Sequence, residues 1–228
     1  MSYNVRALRD DVAALARVVR AQAPDVLCVQ EAPRFARWRT RRADLARRFG
    51  MYVAAGERTG GLAIFASLRA AVVRAEYHVL SHVPRLHRRA LAVAVLDIAG
   101  AGPVIAASTH LDLDPAARLR HAAEIEAILA DVHRRHDAPL VLAGDLNEGP
   151  DGPAWRRLAT GRTGAPPGAA PTFPAYDPHR RIDAIFVTPP LRARTTGVSA
   201  PPEPDVVRAS DHRPVTADLD YGPAPTPE

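Results

Sequence analysis

Leu140 to Ala143 form a continuous apolar run that ends in Gly144-Asp145-Leu146-Asn147, an acid and an amide two residues apart. A short apolar run bounded by a glycine has the character of a buried strand. Two positions apart at a strand end, Asp145 and Asn147 project to one face. There their side chains suit a hard divalent cation, or can orient water and phosphate. An ordinary turn would use the same residue types, since glycine, aspartate and asparagine all favour turns.

Comparable punctuation recurs along the chain. Tyr3-Asn4-Val5 opens it, and Val26 to Val29 runs into Gln30-Glu31. Val104 to Ser108 runs into Thr109-His110, Asp183 leads the apolar run Ala184 to Val187, and Ser210-Asp211-His212 precedes Val215. In this order the sites resemble the endonuclease/exonuclease/phosphatase superfamily, the fold of the pancreatic-type DNases, and the resemblance runs from Ser2 to about Leu219. Gly60-Gly61-Leu62-Ala63-Ile64 is similar to a further family pattern, and Arg118 to His121 resembles its Arg-x-x-Gln with His121 in place of glutamine. The Thr109-His110 step is similar to the DNase I-like, sphingomyelinase-like and phosphatase branches rather than to the abasic-site enzymes, which place a tyrosine there.

The elements that must position these groups follow from periodicity. Val12, Leu15, Val18 and Val19 recur at helical spacing within Leu8 to Gln22, so strand, helix and strand open the chain and set Asn4 and Glu31 at corresponding strand ends. A second helix is expected over Arg34 to Phe49. Strands are expected over Met51 to Ala55, Leu62 to Ala66, Ala71 to Val79 and Arg89 to Ile98; with no helix between them, they should form antiparallel hairpins. Asp114-Pro115 supplies an N-cap and a proline at N1 for a long helix to about His136, and a short helix should carry Trp155 and Leu158. Gly161 to Pro178 reads as a loop in which Thr172-Phe173-Pro174 could set an aromatic beside a substrate. His78, His82 and His87 lack the spacing of a zinc site. The fold expected is a four-layer α/β sandwich, two packed mixed sheets flanked by helices, in one domain over 1–221 with a proline-rich tail over 222–228.

The chain has 228 residues, is 47% hydrophobic and has a formal charge of +5, enough for one sizeable α/β core. All 30 basic residues are arginine, which suits bidentate phosphate contacts, although their spread over the whole chain is not by itself a patch. Neither a signal peptide nor an 18-residue apolar span is present, and the single cysteine, Cys28, suits a reducing compartment; a cytoplasmic monomer is expected.

What the resemblance implies is metal-assisted hydrolysis of a phosphoester. Glu31, with Asn4 and Asp211, would hold Mg²⁺ or Mn²⁺. Asp145 would activate the attacking water or bind a second ion, and Asn147 would orient phosphate. His212 would pair with Asp183, and His110 would assist at the phosphoryl oxygen or the leaving group. A nucleic acid or a small phosphoester is the expected substrate, a lipid less so. The contrasting class is a non-catalytic phosphate-binding or scaffolding module on the same fold.

Overall fold

The computed structural model describes residues 1–164, 169–198 and 203–221. The elements in chain order are β1 (Ser2–Asn4), α1 (Val12–Gln22), β2 (Val26–Gln30), α2 (Trp38–Phe49), β3 (Tyr52–Ala55), β4 (Ala63–Ala66), β5 (Ala70–Val79), β6 (Ala90–Ile98), β7 (Gly102–His110), α3 (Pro115–His136), β8 (Leu140–Asp145), α4 (Pro153–Ala159), β9 (Asp183–Val187), β10 (Leu191–Val198), α5 (Glu203–Ala209) and β11 (Val215–Tyr221).

One sheet runs β10-β11-β1-β2-β4-β3 and the other β5-β6-β7-β8-β9. Each holds one parallel pair joined by a helix, β1 with β2 and β7 with β8, and the other pairings are antiparallel. These are the expected four layers. A core of Leu15, Val18, Leu45, Phe49 and Val206 packs α1, α2 and α5 on the first sheet. Ile125, Leu129, Trp155 and Leu158 pack α3 and α4 on the second. Between the sheets lies a layer rich in small side chains, among them Cys28, Ala92, Ala94, Ala106 and Ala143. Small residues let the sheets approach closely, as dense packing of two facing sheets requires.

Most expected helices and hairpins form within a residue or two of their bounds, with four differences. The first helix starts at Val12 rather than Leu8, where the Asp11 side chain caps it by accepting the N–H groups of Ala13 and Ala14. The second helix starts at Trp38 rather than Arg34, because Arg37 takes the left-handed conformation (φ 58°), which breaks helical continuity. Gly144 does not stop its strand but lies within it. A Cβ there would fall 2.2 Å from the Thr109 carbonyl oxygen, so glycine permits β7 and β8 to close up just below the strand ends. β10 and α5 are additional to the expected elements; proline and alanine at 199–204 mask the short helix. The proline-rich tail at 222–228 lies outside the described residues, as does 165–168 of the long loop.

Candidate active site

The sheet registers bring six strand ends to one place. Asn4 pairs with Gln30 across β1 and β2, so Glu31 follows directly beside Asn4. His110 pairs with Asp145 across β7 and β8, and Asp145 with Asp183 across β8 and β9. His212 comes from the turn just before β11, which lies antiparallel to β1. Gln30 joins the two sheets beneath this cluster, its Nε2 donating to Ser108 Oγ at 3.1 Å; both side chains are buried.

Asp145 is the centre. Its Oδ2 accepts from Asn4 Nδ2 at 3.0 Å and lies 3.3 Å from His110 Nε2 and 3.7 Å from His212 Nε2. Its Oδ1 accepts the Asn147 N–H at 2.9 Å, a local Asx bond that suits the left-handed φ of 53° at Asn147. Asn147 Nδ2 donates to the Leu111 carbonyl at 3.0 Å and sits 3.1 Å from His110 Nε2. His110 Nε2 therefore stands between a donor and a carboxylate acceptor. Burial pushes the His110 pKa down to about 3 in spite of Asp145, with Arg89, His212 and Arg34 acting in the same direction as burial. The ring is neutral at pH 7, and one nitrogen of a neutral ring can serve only one of its two neighbours at a time.

His212 has the opposite character. Burial works against its charge, yet the Asp183 carboxylate, 2.9 Å from Nδ1, together with Asp145 and Asp211 pushes its pKa up to about 9. Two imidazoles beside one carboxylate are thus held in different protonation states. Thr172, fully buried, fixes Asp183 from behind; its Oγ1 accepts the N–H groups of Ile182 and Asp183 at 3.2 and 3.3 Å. The next residue, Phe173, lies with its ring 4.9 Å from that of His212.

Asn4, Glu31, His110, Asp145, Asn147, Asp183 and His212 are therefore brought together. Asn4 Oδ1 accepts the Arg6 N–H at 3.0 Å, which fixes the amide and turns Nδ2 toward Asp145 and toward Glu31 Oε1 at 3.4 Å. Asn4 thus donates to two carboxylates while its oxygen is engaged by the Arg6 N–H. Asp211 Oδ2 is held by Arg6 Nε at 3.1 Å, beside a cleft of about 470 Å³ shared with Phe173, Tyr176 and Arg180. Among the oxygen donors that could hold a hard divalent cation are Glu31 and Asp145, one from each sheet and both reaching the same amide nitrogen. Ligand atoms of Asp145, Asp183 and His212 also lie within 4.8 Å of one another, but His212 Nδ1 is already engaged by Asp183.

Two buried arginines hold the loops around this site. Arg42 donates to the carbonyls of Pro33, Leu62 and Glu57 at 2.9, 2.8 and 3.0 Å, clamping the segments on either side of Glu31, and burial lowers its pKa to about 10. Its signal in the sequence is phase, for it lies on the same helical stripe as Leu45, Ala46 and Phe49. Arg118 pairs with Glu148 at 2.9 Å and donates to the Asp112 and Leu113 carbonyls, while Glu148 Oε1 accepts the Trp155 N–H at the start of α4. Arg6 and Arg89, the latter paired with Asp112 at 3.2 Å, had no sequence signal separating them from the other arginines.

Solved structures of similar fold include the mannosyl-6-phosphatase of Bacteroides thetaiotaomicron (19% identity, 96% of this chain and 98% of that one, TM-score 0.78). The truncated TDP2 of Caenorhabditis elegans is similar at 18% identity, over 97% of this chain and 96% of that one, with a TM-score of 0.73. The human Nocturnin catalytic domain with bound sulfate is similar at 18% identity, over 92% and 86%, with a TM-score of 0.68. At these identities the likeness is one of fold. No curated protein sequence matches the chain significantly. The family profile of the Endonuclease/Exonuclease/phosphatase family matches residues 1–212, nearly the whole chain, and the protein belongs to that family.

Proposed function

We propose that the protein hydrolyses a phosphoester with the help of a divalent cation, Mg²⁺ or Mn²⁺. The observation that carries this reading is Asp145 Oδ2, a buried carboxylate oxygen ringed by Asn4, His110 and His212 where the two sheets meet. Glu31 and Asp145 would hold the cation, which when bound neutralises phosphoryl charge and lowers the pKa of water. A water bonded to Asp145 is oriented for attack and can pass its proton to that carboxylate. Its oxygen forms the new bond to phosphorus as the ester P–O bond breaks, and the departing oxygen takes up a proton. His212, charged through its pairing with Asp183, offers Nε2–H and positive charge to a phosphoryl oxygen. Asn147 and neutral His110 hold the opposite side of the phosphoryl group by hydrogen bonds.

The similar fold of a phosphatase and the sulfate-bound Nocturnin domain agree with a phosphoester substrate. Turnover of bis-p-nitrophenyl phosphate and of p-nitrophenyl phosphate, with Mg²⁺, with Mn²⁺ and with chelator, tests the reading. Metal-dependent release of nitrophenol from either supports it. No release under any condition leaves a non-catalytic phosphate-binding module instead.

A further inference from the structure

The sheet order sets β1, and with it Asn4, between β2 on one side and β11 on the other. The Glu31 flank and the His212 flank of the site are therefore opposite sides of one centre, and both present guanidinium and aromatic groups.

On the Glu31 flank, residues 34–42 hold five arginines and two aromatics and no acid. Phe35 is 63% exposed with the Arg34 guanidinium 5.3 Å from its ring centroid, and Arg39 lies 4.2 Å over Trp38. Among the described residues no carboxylate lies within 4 Å of a nitrogen of Arg34, Arg37 or Arg41, whereas Arg39 reaches Glu57 at 3.9 Å. The geometry places this segment at the site: a Cβ on Gly61 would lie 3.5 Å from Arg34 Cδ and 3.7 Å from Glu31 Cα. The loop between β5 and β6 adds exposed Arg85 and Arg88, again without an acid in 81–89, at the same sheet end as His110.

On the His212 flank, the cleft beside Asp211 carries Phe173 and Tyr176, the latter 74% exposed, with Arg180 5.9 Å from the Phe173 ring centroid. Arginine interleaved with exposed aromatic rings is the chemistry that binds unpaired nucleotides, because every base has a face to stack and every linkage a phosphate to pair. A duplex hides its base faces, and a single small phosphoester would be bound at the centre and leave Phe35 uncovered.

We propose that the protein takes single-stranded nucleic acid, with bases stacking on Phe35 at one flank and on Tyr176 and Phe173 at the other, and backbone phosphates met by Arg34, Arg37 and Arg180. Cleavage rests on the hydrolase reading above and consumes one water per linkage, leaving a phosphomonoester and a hydroxyl; binding does not depend on it. Fluorescence anisotropy of a labelled 12-nucleotide single strand, with the full chain in chelator so that no cleavage occurs, is the test. Phe35→Ala and Tyr176→Ala should each weaken binding about five-fold or more, the lower bound for losing one base stack. Arg37→Gln should reduce the slope of log Kd against log salt by about 0.7, the contribution of one phosphate contact on a single strand. A duplex of the same sequence should bind more weakly. Absence of binding, affinity unchanged in all three variants, or tighter binding to phosphatidylserine vesicles than to the oligonucleotide would overturn the proposal. Wild-type turnover of bis-p-nitrophenyl phosphate, measured alongside, reports on the hydrolase reading alone.

Discussion

Asp183 and His212 are 29 residues apart in sequence, yet they form one buried unit in which the carboxylate fixes the ring and holds its charge. Removing either partner removes the same imidazolium. Asp183→Asn should therefore lower kcat/KM nearly as much as His212→Ala, and the double variant should cost little more than either. A double-mutant cycle at saturating metal checks this, and fully additive losses would show the two acting independently. Glu31 is tested differently. It takes a left-handed φ of 54°, a conformation that presents its carboxylate toward Asn4. Glu31→Gln keeps the shape and removes the charge, so calorimetric titration of Mn²⁺ should show affinity at least ten-fold weaker, a loss of about 1.4 kcal/mol. Unchanged affinity would take Glu31 out of the metal site.

At the scale of elements, the site depends on how closely β7 and β8 approach and on how their following loops are tied down. Gly144→Ala forces a methyl against the Thr109 carbonyl where 2.2 Å is available, so the strands must part. A loss of about 1–3 kcal/mol is expected from overpacking of this kind, read as a lowered midpoint in urea unfolding. Arg118→Ala leaves Glu148 charged and without its partner in the core, and a loss of about 3–5 kcal/mol is expected by the same measurement. Arg118→Met should be no less destabilising, because the uncompensated carboxylate remains.

For the whole molecule, the two histidines shape stability against pH in opposite ways. His212 has its folded pKa raised above the unfolded value near 6.5, so its contribution is fully present below that pH and is lost as pH rises toward 9. His110 has its folded pKa lowered, so stability falls as pH drops below 6.5 and the unfolded chain takes up a proton that the folded one refuses. Between them these two groups favour metal-free stability most near pH 6.5. Urea unfolding from pH 5 to 9 in chelator checks this, and His212→Ala should flatten the alkaline side.

What the sequence determined by itself is whatever depends on near neighbours. Apolar runs that stop at an acid or amide mark strand ends, and a 3.6-residue stripe with Asp114-Pro115 before it marks α3 at both limits. Hence the two packed mixed sheets with their flanking helices, and the setting of acids, amides and imidazoles at strand ends, were legible from near neighbours. What only the tertiary structure decided is which partner each polar group takes. Arg6 is one arginine among 29 others in composition, yet its backbone N–H fixes the Asn4 amide and its side chain holds the Asp211 carboxylate. Likewise Arg42 is buried because three carbonyls from the two loops that follow β2 and β3 converge on it. Hydrogen bonds and ion pairs act over a few ångströms, and which groups come that close is set by the packing of two sheets in which residues as far apart in sequence as Ser2 and Val215 are paired. Periodicity within a helix or strand carries no record of those distances.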